Sequence, residues 1–174
     1  ALIAAADVAE EFGLAPKMRL VNYAFAGVAP EVMGVGPVPA TERALRNAGL
    51  GIDDIGRFEV NEAFAVQVLA FLDHFGMADD DPRVNSSLPT SGDSRQLWVH
   101  LLEEAGLGRL EPLERLLSSS PEAVAPVLRL LTQLASHLEV HPEVRYGITT
   151  MCVGLGQGGT VIWENPHFDG KKDA

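Results

Sequence analysis

The chain has 174 residues, 47% of them apolar, which is enough for a domain with a real core and excludes disorder throughout. A formal charge of -11 argues against a nucleic-acid backbone as partner, because phosphates require a basic surface. A single cysteine, Cys152, excludes an internal disulfide and fits a reducing, cytoplasmic compartment.

No apolar run reaches the ~20 residues that span a bilayer, so no membrane span is expected. The start, Ala1-Leu2-Ile3-Ala4-Ala5-Ala6, has no basic leader and runs into Asp7, so it does not read as a signal peptide. Beginning on Ala rather than Met, the chain reads as part of something longer. A helix over 7–12 is stopped by Gly13, and a strand covers 18–25. Residues 27–36 are loop, punctuated by Gly and Pro. Pro39 opens the next helix in the favoured first turn, and Gly49 closes it. A short strand over 55–60 leads to Asn61, which caps a helix running to Phe75. That helix is apolar nearly all round and is expected to lie buried between layers. Residues 78–82 form an acidic turn.

From Ser86 the character changes. Residues 86–94 read as loop, 97–105 and 110–117 as two short helices. Ser120-Pro121-Glu122 is a helix start, followed by Val124, Val127, Leu128, Leu131, Leu134 and Leu138 on one face. Strands over 145–151 and 159–163 flank a Gly-rich turn, and the tail from Asn165 is expected to be loose. The alternation gives one α/β domain over 1–174, a layered mixed sheet with helices on both faces, plus an atypical helical segment over 86–130.

Several residues can carry chemistry. Cys152 ends a strand and enters a turn whose glycines let backbone approach a ligand closely. A cysteine there can serve as nucleophile or proton carrier, or simply as a small buried strand-end residue. Asn61 can point its amide at a reacting oxygen, or act only as an N-cap. The loop with Met33, Gly34 and Gly36 matches no standard phosphate-binding spacing and reads as a tight connection. None of the five histidines stands in a metal-ligand spacing; His137 and His141 are an i, i+4 pair, but Pro142 places the helix end before it, so no metal is expected. Asp79-Asp80-Asp81 lacks the Gly and distal Glu of a calcium loop.

Asn61-Glu62-Ala63-Phe64-Ala65, followed far downstream by Cys152-Val153-Gly154-Leu155-Gly156-Gln157-Gly158, resembles the C-terminal half of a thiolase. Met33-Gly34-Val35-Gly36-Pro37 adds to the resemblance, and Trp163-Glu164-Asn165-Pro166-His167 is similar to bacterial 3-ketoacyl-CoA thiolases. The resemblance covers the chain to about Asn85 and resumes at about Leu131. It implies an acyl-CoA acyltransferase of fatty-acid β-oxidation, with CoA and acyl-CoA as substrates and no resident cofactor. It implies that Cys152 moves a proton at the reacting carbon and that Gly154 lends a backbone N–H to an oxyanion hole. Asn61 would hold the water of a second oxyanion hole, and Met33, Ala63 and Phe64 would line the acyl and pantetheine channel. The implied partners are a thiolase N-terminal half, a second copy in a homo-oligomer, and a hydratase/dehydrogenase subunit of β-oxidation. Two departures stand against activity of this chain alone. The family's nucleophilic cysteine belongs to the other half, and the Gly-His-Pro segment expected after Asn85 is replaced by residues 86–130. The alternative is a non-catalytic thiolase-like module acting in oligomerisation or regulation.

Overall fold

A computed structural model describes residues 2–85, 121–153 and 155–170. The chain divides into two compact units, Ala1–Ser86 with Leu130–Ala174, and Ser87–Arg129. Of the second unit only the start of one helix is described. The two short helices expected over 97–105 and 110–117 lie outside the described residues.

The described elements are α1 (Ala6–Glu11), β1 (Arg19–Gly27), a 3₁₀ segment (Pro30–Val35), α2 (Pro37–Ala48), a 3₁₀ turn (Ile52–Asp54), β2 (Ile55–Val60) and α3 (Ala65–His74). They continue with β3 (Val84–Asn85), α4 (Pro121–Val140), β4 (Tyr146–Cys152) and β5 (Gln157–Glu164). The sheet order is β1-β5-β4-β2-β3. β1, β5 and β4 pair antiparallel, while β2 runs parallel to β4 and β3, so the sheet is mixed, as the alternation predicts.

One face of the sheet carries the main core. Alternate strand residues Ala24, Phe58, Val60, Ile148 and Ile162 pack with Val38, Ala44 and Leu45 of α2 and Val68, Phe71 and Leu72 of α3. The opposite face meets α4. Leu134 is fully buried, and its Cδ1 lies 2.5 Å from where a Cβ on Gly147 would stand. Leu130, Leu134 and Leu138 recur every four residues, giving the buried stripe that puts the helix on the sheet. Helices thus cover both faces.

Three expectations are corrected. α3 starts at Ala65 with Phe64 as its N-cap, so Asn61 lies outside the helix. The apolar belt of α3 is buried on one side only. Val68, Phe71 and Leu72 face the core, while Phe64 before it and Val66 and Leu69 on it are exposed. The tail is not loose from Asn165, which is 2% exposed. Its Nδ2 donates to the carbonyl of Leu138 in the last turn of α4 and to those of His141 and Val144 in the loop that follows.

The end of α4 also carries a titrating group. His137 is half-buried and its ring stacks on His141 with centroids 4.2 Å apart. Burial, then the Arg57 guanidinium, then His141 push its pKa down from 6.5 to about 4, against a small opposing pull from Glu143. The unfolded chain therefore takes the proton more readily than the folded one. This contribution to stability is fully present above pH 6.5 and is lost as pH falls towards about 4. Thermal unfolding should show a wild-type loss between pH 7 and pH 5 that shrinks in His137→Phe; an unchanged loss would assign it to other groups.

Candidate active site

The site begins with strand direction. β2 and β4 are neighbours and parallel, with Val60 opposite Thr150, so both end on the same side of the sheet. In open α/β sheets, ligands bind beyond the carboxyl ends of the strands. Here those ends carry Asn61 and Cys152. The Asn61 N–H donates to the Thr150 carbonyl at 2.9 Å, extending the ladder by one residue and fixing Asn61 beside the last turn of β4. Both residues are half-buried.

Beyond Asn61 the chain makes a short turn, with the Ala63 N–H donating to the Asn61 carbonyl at 3.2 Å. Ala63 and Phe64 are exposed, as is Met33 on the 3₁₀ segment. Gly154 lies outside the described residues.

A residue the motifs did not single out joins these pieces. Gln67, in the first turn of α3, donates from Nε2 to the Cys152 sulfur at 3.1 Å and to the Gly34 carbonyl at 3.3 Å. Its Oε1 accepts the Phe64 N–H at 3.0 Å, while its own N–H donates to the Phe64 carbonyl. This is the reciprocal half of a capping box, with Phe64 unable to supply the side-chain half. A Gln three residues after the cap was the available sequence signal. Gly34 makes room for it, since a Cβ there would stand 2.7 Å from Gln67 Cγ.

At two positions the Gly-rich turn also does a packing job. Residues 153–156 join β4 to β5, with Leu155 and Gly156 both at positive φ. A Cβ on Gly156 would lie 2.3 Å from the Val28 carbonyl oxygen, and one on Gly158 would lie 2.1 Å from the Gly36 carbonyl. These glycines let the hairpin press against the backbone on either side of the 3₁₀ segment. The same close approach brings Met33-Gly34 up to Cys152.

A thiol at a strand end, held by an amide N–H, with an Asn on the neighbouring parallel strand end, can move a proton to or from a bound group. The family description "Thiolase, C-terminal domain" matches residues 14–87. The chain belongs to the thiolase family. It is 40% identical over 163 residues to the 3-oxoadipyl-CoA/3-oxo-5,6-dehydrosuberyl-CoA thiolase of Escherichia coli K12, covering 94% of this chain and 34% of that protein. It is 38% identical over 156 residues to a 3-ketoacyl-CoA thiolase of Photobacterium profundum, covering 90% and 34%. For a 3-ketoacyl-CoA thiolase of Idiomarina loihiensis the identity is 36% over 163 residues, covering 94% and 35%. The chain thus spans about a third of the length of the curated relatives it matches. It is a thiolase C-terminal domain, an α/β fold with a mixed five-stranded sheet and helices. Among the described residues no helix is long and apolar enough to cross a membrane.

Proposed function

We propose that this thiolase domain is the C-terminal share of an acyl-CoA acyltransferase of the 3-ketoacyl-CoA thiolase type, working in cytoplasmic fatty-acid β-oxidation. The observation that carries the reading is the placement of Asn61 and Cys152 at the ends of adjacent parallel strands, with the Gly34 carbonyl tied to the Cys152 sulfur through Gln67. On the family pattern, CoA and a 3-ketoacyl-CoA are the substrates and no resident cofactor takes part. The acyl group passes to a cysteine in the other half. The Cys152 thiol gives its proton to the carbon of the departing acyl-CoA in thiolysis and takes it back in condensation. The Gly154 N–H and a water on Asn61 would hold the oxyanions, a kind of contact worth about 3 kcal/mol per donor. Met33, Ala63 and Phe64 would guide the acyl and pantetheine chain.

The domain carries one cysteine and no Gly-His-Pro, so it lacks the acyl carrier and the histidine that activates it. Residues that act as a unit lose most of their rate when one is missing. The reading therefore requires a partner, a thiolase N-terminal half in the same polypeptide or in a second one. The absence of Gly-His-Pro favours a second reading, a non-catalytic module used in oligomerisation or regulation. Intact mass and peptide coverage of the native protein from its source cells, with a thiolysis assay on the same sample, separate the two. Further polypeptide that supplies a second cysteine and a Gly-His-Pro peptide, with thiolysis, supports the acyltransferase. A native species of 18.6 kDa without an active partner would leave only the module.

A further inference from the structure

We propose that Gln67 is the positioning residue for the Cys152 thiol, the group that holds its sulfur in one place and favours its proton-free form. The inference rests on the reading of Cys152 as a proton carrier, but its geometry stands apart from it. Three features support it. The Gln67 amide donates to the sulfur at 3.1 Å. Its other contacts are to main chain on two separate segments, the Gly34 carbonyl and the Phe64 N–H. The amide therefore cannot turn without giving up bonds on both sides. Its stem crosses Gly34 where a Cβ would stand 2.7 Å from Cγ, so a side chain at 34 would displace it.

The consequence is chemical. When Cys152 gives up its proton to a carbon, the S–H bond breaks and the sulfur is left negative. An N–H aimed at that sulfur stabilises the charged form more than the neutral one. A neutral amide suits a thiol that must both lose and regain a proton, since a fixed cation there would hold the sulfur deprotonated through the cycle.

Cys152 is the chain's one cysteine, so its alkylation by iodoacetamide reports this site alone. The test is the rate of alkylation against pH for the full chain, for Gln67→Met, which keeps length but cannot donate, and for Gln67→Glu, which can still accept from Phe64 but brings a negative charge to the sulfur. We expect the pH of half-limiting rate to move up by about half a unit in Gln67→Met and by about one unit or more in Gln67→Glu. The far-ultraviolet circular dichroism should stay that of the parent. Gly34→Ala is the second variant. It leaves the amide in the chain but pushes it off the sulfur, and is expected to move the profile in the same direction. It keeps the question open to measurement if either Gln67 variant fails to fold. Profiles that superimpose on the parent in folded variants would overturn the proposal and reduce Gln67 to a helix cap. The result is independent of thiolysis: a shifted profile in a chain that never meets an acyl-CoA would leave Gln67 in its role and remove the acyltransferase.

Discussion

Gly158→Ala should be among the most damaging single-atom additions to this domain, lowering stability by about 3 kcal/mol or more. A Cβ at 158 would stand 2.1 Å from both the carbon and the oxygen of the Gly36 carbonyl and 2.5 Å from the Pro37 nitrogen. The reverse contact is as tight, since a Cβ on Gly36 would meet the Gly158 nitrogen at 2.9 Å. Main chain faces main chain, so no side-chain rotation relieves the overlap. Either β5 leaves its register with Cys152, or the start of α2 moves off the sheet. For a domain of this size the loss corresponds to about 10 °C in Tm. Gly27→Ala is the control, because a Cβ there meets nothing within 4 Å. Thermal unfolding that treated the two variants alike would contradict the packing role assigned to Gly158.

Glu59→Ala should cost about 3–5 kcal/mol, the usual penalty for removing one partner of a buried charged pair. Glu59 is fully buried on β2, one turn of the pleat before Asn61. Its Oε1 accepts the Arg57 Nε at 2.9 Å, and its Oε2 accepts the Asn85 Nδ2 at 2.8 Å. Deletion leaves a mostly buried guanidinium and an amide without this acceptor. It also frees β3, which has only two residues and pairs with β2 at Phe58 and Glu59. Glu59→Gln keeps the volume and one acceptor, so its loss should be smaller. Chemical denaturation of the two variants checks the order; a Glu59→Ala loss below about 1 kcal/mol would place the stability of this edge elsewhere.

Much of this fold was legible because its signals are local. β2 was read to the residue, since Ile55, Phe58 and Val60 mark a short segment between the acidic Asp53-Asp54 and the polar Asn61-Glu62. α2 was found from Pro and Gly, though it begins at Pro37 rather than Pro39. What failed depends on tertiary partners. Asn61 has the chemistry of a cap, but its N–H bond to the Thr150 carbonyl holds it at the end of β2, and the helix starts only at Ala65. Asn165 reads as a tail residue, yet three carbonyls in the last turn of α4 and the loop after it claim its amide. The all-round apolarity of α3 suggested burial on every side. The described residues cover only the Val68, Phe71 and Leu72 side, leaving Val66 and Leu69 in the open. At the site, Cys152 and Asn61 stood out by motif, while Gln67 did not, because its role comes from two segments 33 and 85 residues away along the chain. The glycines of the Cys152 turn were legible as glycines, and their packing role was not: Gly156 and Gly158 accommodate backbone.

The central claim is that this chain holds the proton-carrying side of a thiolase site and not the acyl-carrying side. The most direct test is thiolysis of a 3-ketoacyl-CoA by the purified 174-residue chain alone, following CoA-dependent loss of substrate and the intact mass of the protein together. The account predicts no turnover and no acyl adduct on Cys152 beyond that formed by a free thiol. Turnover, or rapid acylation of Cys152, would make this cysteine the nucleophile and contradict the assignment.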